Sequence, residues 1–133
     1  MANMLGGFPV SVGGITFKNT GTADIPSNMA VRLSGDNQVA LAVAAGAVTS
    51  PIGITVTIIQ AGKSGIVRCL GAIECVAEGT VAAGDFVQLG NTAGKLGWVK
   101  TAGAAIPALG IAFNGAVDGG AVMVFVAQAR NAL

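Results

Sequence analysis

The reactive side chains of this sequence are few, and their spacing works against catalysis. Histidine is absent, which removes the commonest general base and metal ligand and excludes Ser/His and Cys/His nucleophilic sites. The carboxylates are Asp24, Asp36, Glu74, Glu78, Asp85 and Asp118. The four aspartates stand beside Gly, Asn or Ile-Pro in stretches that read as turns, where a bond to the local backbone accounts for them. Glu74 and Glu78 are near enough in sequence to be brought together as an acid/base pair, and a small enzyme or ligand-binding barrel would have to use them. Asp36-Asn37-Gln38 lacks the alternating ligands and closing Glu of a calcium loop. Gly62-Lys63-Ser64 lacks a phosphate loop's earlier Gly, since position 57 is Thr, and Ile66-Val67 begins a strand where that motif needs a helix. A hairpin turn with a solvated lysine fits it better. Cys69 and Cys75 fall on one face of a single predicted strand, about 20 Å apart if it is straight. A disulfide would need a tight bend at Gly71, and two reduced thiols acting as small hydrophobes are the simpler reading. No catalytic residue, metal site or cofactor is expected.

The elements that carry these groups are short strands. From Gly84 to Ala112 the chain reads as a hairpin, a crossover and a third strand: Phe86 to Leu89 and Leu96 to Lys100 are β-prone, with Gly90, Asn91 and Gly94 reversing the chain between them. Pro107 marks where the next strand can start. The same order of features occurs about 56 residues earlier. Val31-Arg32-Leu33 parallels Val87-Gln88-Leu89, Val39 answers to Val99, and Ala45-Gly46-Ala47 to Ala102-Gly103-Ala104. Pro51-Ile52-Gly53-Ile54 answers to Ala108-Leu109-Gly110-Ile111, and Gly65-Ile66-Val67 to Gly120-Ala121-Val122. The offsets lie between 55 and 57 residues, with 60 for the Val39/Val99 pair. The pattern predicts one β module used twice.

In the first module, Gln38 to Ala47 reads as a strand followed by a loop. Ile52 to Gln60 alternates as a half-buried strand with Ile52, Ile54, Val56 and Ile58 on one face. Ile66 to Val76 is then its antiparallel return, with Arg68 and Glu74 facing solvent or a neighbouring subunit. In the second module, Leu109 to Phe113 copies the Ile52 strand. The closing strand, Ala121 to Ala127, is apolar on both faces, with Val122, Val124 and Val126 against Met123 and Phe125. It must be covered on both sides, and one cover is another chain. Residues 1 to 23 are Gly-rich with isolated apolar residues. They read either as a frayed terminus or as an extended arm that orders on a partner with Phe8 and Phe17 as anchors, Val10 and Val12 suiting one short strand. Residues 24 to 133 are expected to form one β-rich domain.

Composition points outward. Of 133 residues, 53% are hydrophobic and 10% charged, with mean hydropathy +0.74, against roughly 25% charged in ordinary domains. A small monomer cannot hide so much apolar surface, so contact with other protein is predicted. No apolar run reaches the about 20 residues of a spanning helix. One Trp and no Tyr cannot build the girdles of a membrane barrel. The N-terminus lacks the pattern of a secretory signal. A dispersed net charge of +1 gives no footprint for nucleic acid. Neither membrane nor nucleic acid is an expected partner. Trp98, the only Trp, on a hairpin with Leu96 and Lys100, suits core packing or an intersubunit contact.

The run Val-Ala-Ala-Gly-Asp-Phe-Val-Gln-Leu at 81 to 89, the Gly94-Lys95 hairpin, Pro-Ala-Leu-Gly-Ile-Ala at 107 to 112 and the apolar closing strand together resemble the cement or head-decoration proteins of tailed bacteriophages. The resemblance covers roughly Ile25 to Ala127. It implies an all-β fold, a small β-barrel or β-tulip-like domain, clustering as homotrimers on the exterior of the virion capsid after synthesis in the host cytoplasm. The implied partner is the major capsid protein, whose subunits the protein would bridge on an expanded shell. Capsid or intersubunit contacts are expected at Phe8, Val10, Phe17, Trp98, Met123 and Phe125. A β-rich module of a tail, fibre or cell-surface layer is the alternative that shares this composition.

Overall fold

The computed structural model describes residues 14–127, in ten strands and no helix. They are β1 (Ile15–Lys18), β2 (Ala30–Gly35), β3 (Gln38–Ala40), β4 (Pro51–Thr55), β5 (Ser64–Arg68), β6 (Gly71–Val76), β7 (Phe86–Leu89), β8 (Val99–Thr101), β9 (Gly110–Ala112) and β10 (Ala121–Val126). The first five close a barrel in the order β1-β3-β2-β4-β5, and the other five form a sheet in the order β6-β10-β9-β7-β8. The all-β barrel architecture is as the sequence predicts.

Inward-facing residues Phe17, Ile25, Val31, Val39, Ile59 and Val67 fill the barrel. Three expectations are corrected here. Ile15-Thr16-Phe17-Lys18 is not arm but β1, which pairs antiparallel with β5 and parallel with β3 and thereby closes the barrel. Ile52 to Gln60 is not one alternating strand: β4 stops at Thr55, and it is Ile59 that is buried while Ile58 is exposed. The buried Thr55 hydroxyl donates to the Pro26 carbonyl at 2.7 Å and accepts from the Met29 N–H at 3.0 Å, which satisfies it inside the barrel. Ile66 to Val76 is also two strands. β5 stays in the barrel and β6 crosses to the second sheet, a change that alternation along the chain cannot reveal.

The predicted duplication is present in the topology. Replacing β1 to β5 by β6 to β10 turns the closed barrel order into β6-β8-β7-β9-β10, which, read in reverse round the circle and cut between β6 and β8, is the order of the second sheet. The parallel pair Lys18↔Gln38 that closes the barrel has its counterpart in an isolated parallel bridge, Ala77↔Val99. The bridge Ile25↔Ile59 recurs as Val81↔Ala116. Loop hydrogen bonds repeat as well. The Asn28 N–H donates to the Thr55 carbonyl at 2.7 Å and the Gly84 N–H to that of Ala112 at 2.8 Å; Gly62 donates to Asn19 at 2.7 Å and Gly119 to Ala77 at 2.8 Å. Even a side-chain cap is shared, for the Ile66 N–H donates to the Thr57 hydroxyl and the Met123 N–H to the Asn114 amide oxygen. This last pair moves the β5/β10 match by two residues: Ile66 answers to Met123, not to Ala121. Gly53 and Gly110 are equivalent for a steric reason. A Cβ on Gly53 would collide with the Arg68 carbonyl oxygen of the neighbouring strand, and one on Gly110 with that of Phe125.

The two units differ in how they are closed. The second unit's seam between β6 and β8 is held by the Ala77/Val99 bridge, and the first unit packs against it. Ala30 and Ile54, paired on the outer side of β2 and β4, are buried in one cluster with Cys75, Ala77, Val99 and the second unit's interior. At this junction the Ala30 N–H donates to the Gly97 carbonyl at 2.7 Å and the Asn28 amide to the Glu74 carbonyl at 2.8 Å. Gly97 itself, at φ 92°, lies so close to Met29 that a Cβ would strike its sulfur.

Candidate interaction surface

The outer face of the second sheet presents a row of apolar side chains. Strand register sets Phe86 opposite Ile111, Ile111 opposite Phe125, and Phe125 opposite Ala72. Just beyond β9, Phe113 stacks on Phe125 with ring centroids 5.8 Å apart and planes 11° from parallel. Met123 stands beside them on β10, opposite Glu74 of β6. Phe86 is 54% exposed, Phe113 57% and Met123 37%. The interior side of the same strands is taken by Val87, Ala112, Val122, Val124 and Val126. Both faces are therefore apolar, and among the described residues only the inner one is covered.

Met123 and Phe125 share this outer face, as the alternation of the closing strand predicts. Trp98 is half-buried in the turn before β8, with the Lys95 ammonium 5.7 Å from its ring centroid. Phe17 is corrected: at 6% exposure it is a barrel core residue, pointed inward by the alternation of β1. Phe8 and Val10 lie outside the described residues. Phe86, Ile111 and Phe113 were not singled out from the sequence. The signal available was an apolar residue directly beside another, Phe86-Val87 and Ala112-Phe113, as in the closing strand.

Four of the six carboxylates, Asp24, Glu78, Asp85 and Asp118, hold structure. Asp24 accepts from the Ala61 N–H at 2.9 Å, and Asp85 from the Ala82 N–H at 3.0 Å and the Thr101 hydroxyl at 2.9 Å. Asp118 accepts from the Gly79 N–H at 2.8 Å and pairs with Lys95 at 2.9 Å. The Gly79 N–H first, and the Lys95 ammonium after it, hold the Asp118 carboxyl below its ordinary value. Glu78 accepts from the Thr92 hydroxyl at 2.7 Å and lies 3.8 Å from the Lys100 ammonium, whereas Glu74 sits exposed beside Met123. The two glutamates thus have separate surroundings. Both thiols are free. Burial raises the Cys69 thiol and pushes that of Cys75 up to about 11, which favours the protonated form of both at neutral pH. No group of three or more potential metal ligands occurs among the described residues. No helix there is long and apolar enough to cross a membrane.

Such a surface is suited to burial against other protein. The structure is similar to the head fibre gp8.5 N base of bacteriophage phi29, with a TM-score of 0.57 and 17% identity over 90% of this chain and 98% of that one. At that identity the likeness shows a shared fold. None of the curated proteins matches the sequence. Residues 11–128 match the phage cement protein family model, and the chain belongs to that family, a structural component of a phage virion.

Proposed function

We propose that the protein decorates the exterior of an expanded phage capsid as a homotrimer, binds the major capsid protein there, and stabilises the shell by bridging coat subunits. One observation carries the reading. Ten large apolar side chains are exposed among the described residues of a chain with only 10% charge, a surface suited to burial against other protein. Family membership and a fold shared with a head-fibre base support attachment at a phage head. Phe8 and Val10, in residues 1–13, serve in this proposal as anchors on the coat, while Met123 and Phe125 belong to a contact between subunits. Trp98, half-buried beside Lys95, serves in this proposal as a contact with the coat or a neighbouring subunit.

The mechanism is linkage. A protein that binds the assembled lattice and not its ruptured form stabilises each site by RT ln(1 + [L]/Kd), about 2.7 kcal/mol when free protein stands at a hundred times Kd. Many weak sites repeated by symmetry then raise the temperature at which the shell breaks. Heating shells with and without the protein, and following genome release by dye binding, tests this. Decorated shells are expected to rupture at higher temperature, and equal rupture temperatures would contradict the reading.

A further inference from the structure

The junction between the two units is heterologous, because it joins the outer β2/β4 face of one unit to the β6/β8 seam of the other. A contact of that kind leaves one unused half at each end of the tandem. Strand register identifies both halves. Ala30 pairs with Ile54 and Ile54 with Arg68; one repeat later Phe86 pairs with Ile111 and Ile111 with Phe125. The first set includes the residues buried at the junction. In the second set Phe86 is 54% exposed and Ile111 and Phe125 are half-buried, with Phe in place of Ala at 86 and in place of Arg at 125.

The seam has the same history in reverse. Ile73 pairs with Val124 and packs against the shared core, while its counterpart Ile15 pairs with Val67 and is 42% exposed. Leu89 pairs with Val99 and is 1% exposed, while its counterpart Leu33 pairs with Val39 and is 40% exposed. Where the second unit is sealed, the first leaves two aliphatic side chains open beside β1 and β3. We infer that copies of this chain associate head to tail, the Phe86–Ile111–Phe125 face of one seating against the β1/β3 seam of the next around Ile15 and Leu33. The occupant of the aromatic face is thus a second copy of this chain. The internal junction shows that this face of the fold docks on another unit of the same fold, and the free face is the more apolar of the two. This deepens the trimer reading above and rests on it for closure into a ring.

Sedimentation velocity on the full chain tests the inference with one variant for each half, Phe86→Glu for the free face and Leu33→Glu for the seam. Both sites are exposed, so matching unfolding curves show that the variants fold, and Phe113→Glu repeats the free-face test should Phe86→Glu not fold. The wild type is expected to form an oligomer and each variant alone to sediment as the 12.9 kDa monomer. An equimolar mixture is expected to give a dimer of twice that mass and nothing larger, because each variant still supplies the half that the other lacks. Monomers only in the mixture, or a variant that keeps the wild-type mass, would overturn the head-to-tail geometry and leave a trimer through other faces standing. A monomeric wild type would overturn both, and loss of shell binding by Phe86→Glu in that monomer would assign the face to the coat.

Discussion

The barrel and the second sheet are built on one hydrogen-bond frame, yet one encloses its own core and the other is finished by its neighbour. β1 and β3 meet in the barrel through Lys18↔Gln38. In the second unit the equivalent strands share only the Ala77/Val99 bridge, and Ala30 and Ile54 from the first unit pack there. Backbone geometry is kept while the outward side chains diverge, from Ala30 to Phe86 and from Arg68 to Phe125. Duplicated folds separate structure from interaction in this way. Positions that agree between copies maintain the frame, and positions that differ on the outside mark what each copy touches.

The strongest way to break the comparison is at the paired glycines. Gly53→Ala and Gly110→Ala each drive a Cβ into a backbone carbonyl that cannot move aside, and each is expected to cost about 3 kcal/mol or more in urea unfolding. A small effect at either would mean that the two strand crossings are not equivalent. Next is the leucine pair, measured at concentrations low enough to suppress association. Leu89→Ala is expected to cost about 2–5 kcal/mol as a buried truncation, and Leu33→Ala less than about 0.5 kcal/mol as a surface one.

Much of this frame was legible in the sequence. The repeat showed because strands that pair alike need similar turns at similar spacing, and because Gly53 and Gly110 are held by the same clash. The crossing from β5 to β6 was not legible, since Ile66 to Val76 keeps its alternation while changing sheets. Phe17 looked like an anchor because the Gly-rich residues before it masked a four-residue strand whose partners, β3 and β5, lie far along the chain. On the interaction surface Met123 and Phe125 were readable from a strand apolar on both faces. Phe86 and Phe113 were not, because each ends a short apolar run that one buried face explains.

Smaller effects sharpen the match further. Thr57→Val and Asn114→Ala each remove the acceptor of one backbone N–H, and each is expected to cost about 0.5–1.5 kcal/mol, with similar values for the two. The smallest effect is electrostatic. The folded-state pKa of Asp118 is depressed, so its contribution is present above the unfolded value and is lost as pH falls through the lower, folded one. Asp118→Asn should therefore flatten the acid limb of a melting-temperature profile below about pH 4 and change little near neutrality.

The central claim, a shell-binding structural protein, is tested most directly by co-sedimenting the purified chain with cognate phage heads prepared without it, both compact and expanded. The account predicts saturable binding to expanded heads at a simple ratio to coat subunits and little to compact ones. Failure of the folded protein to bind either form would contradict it.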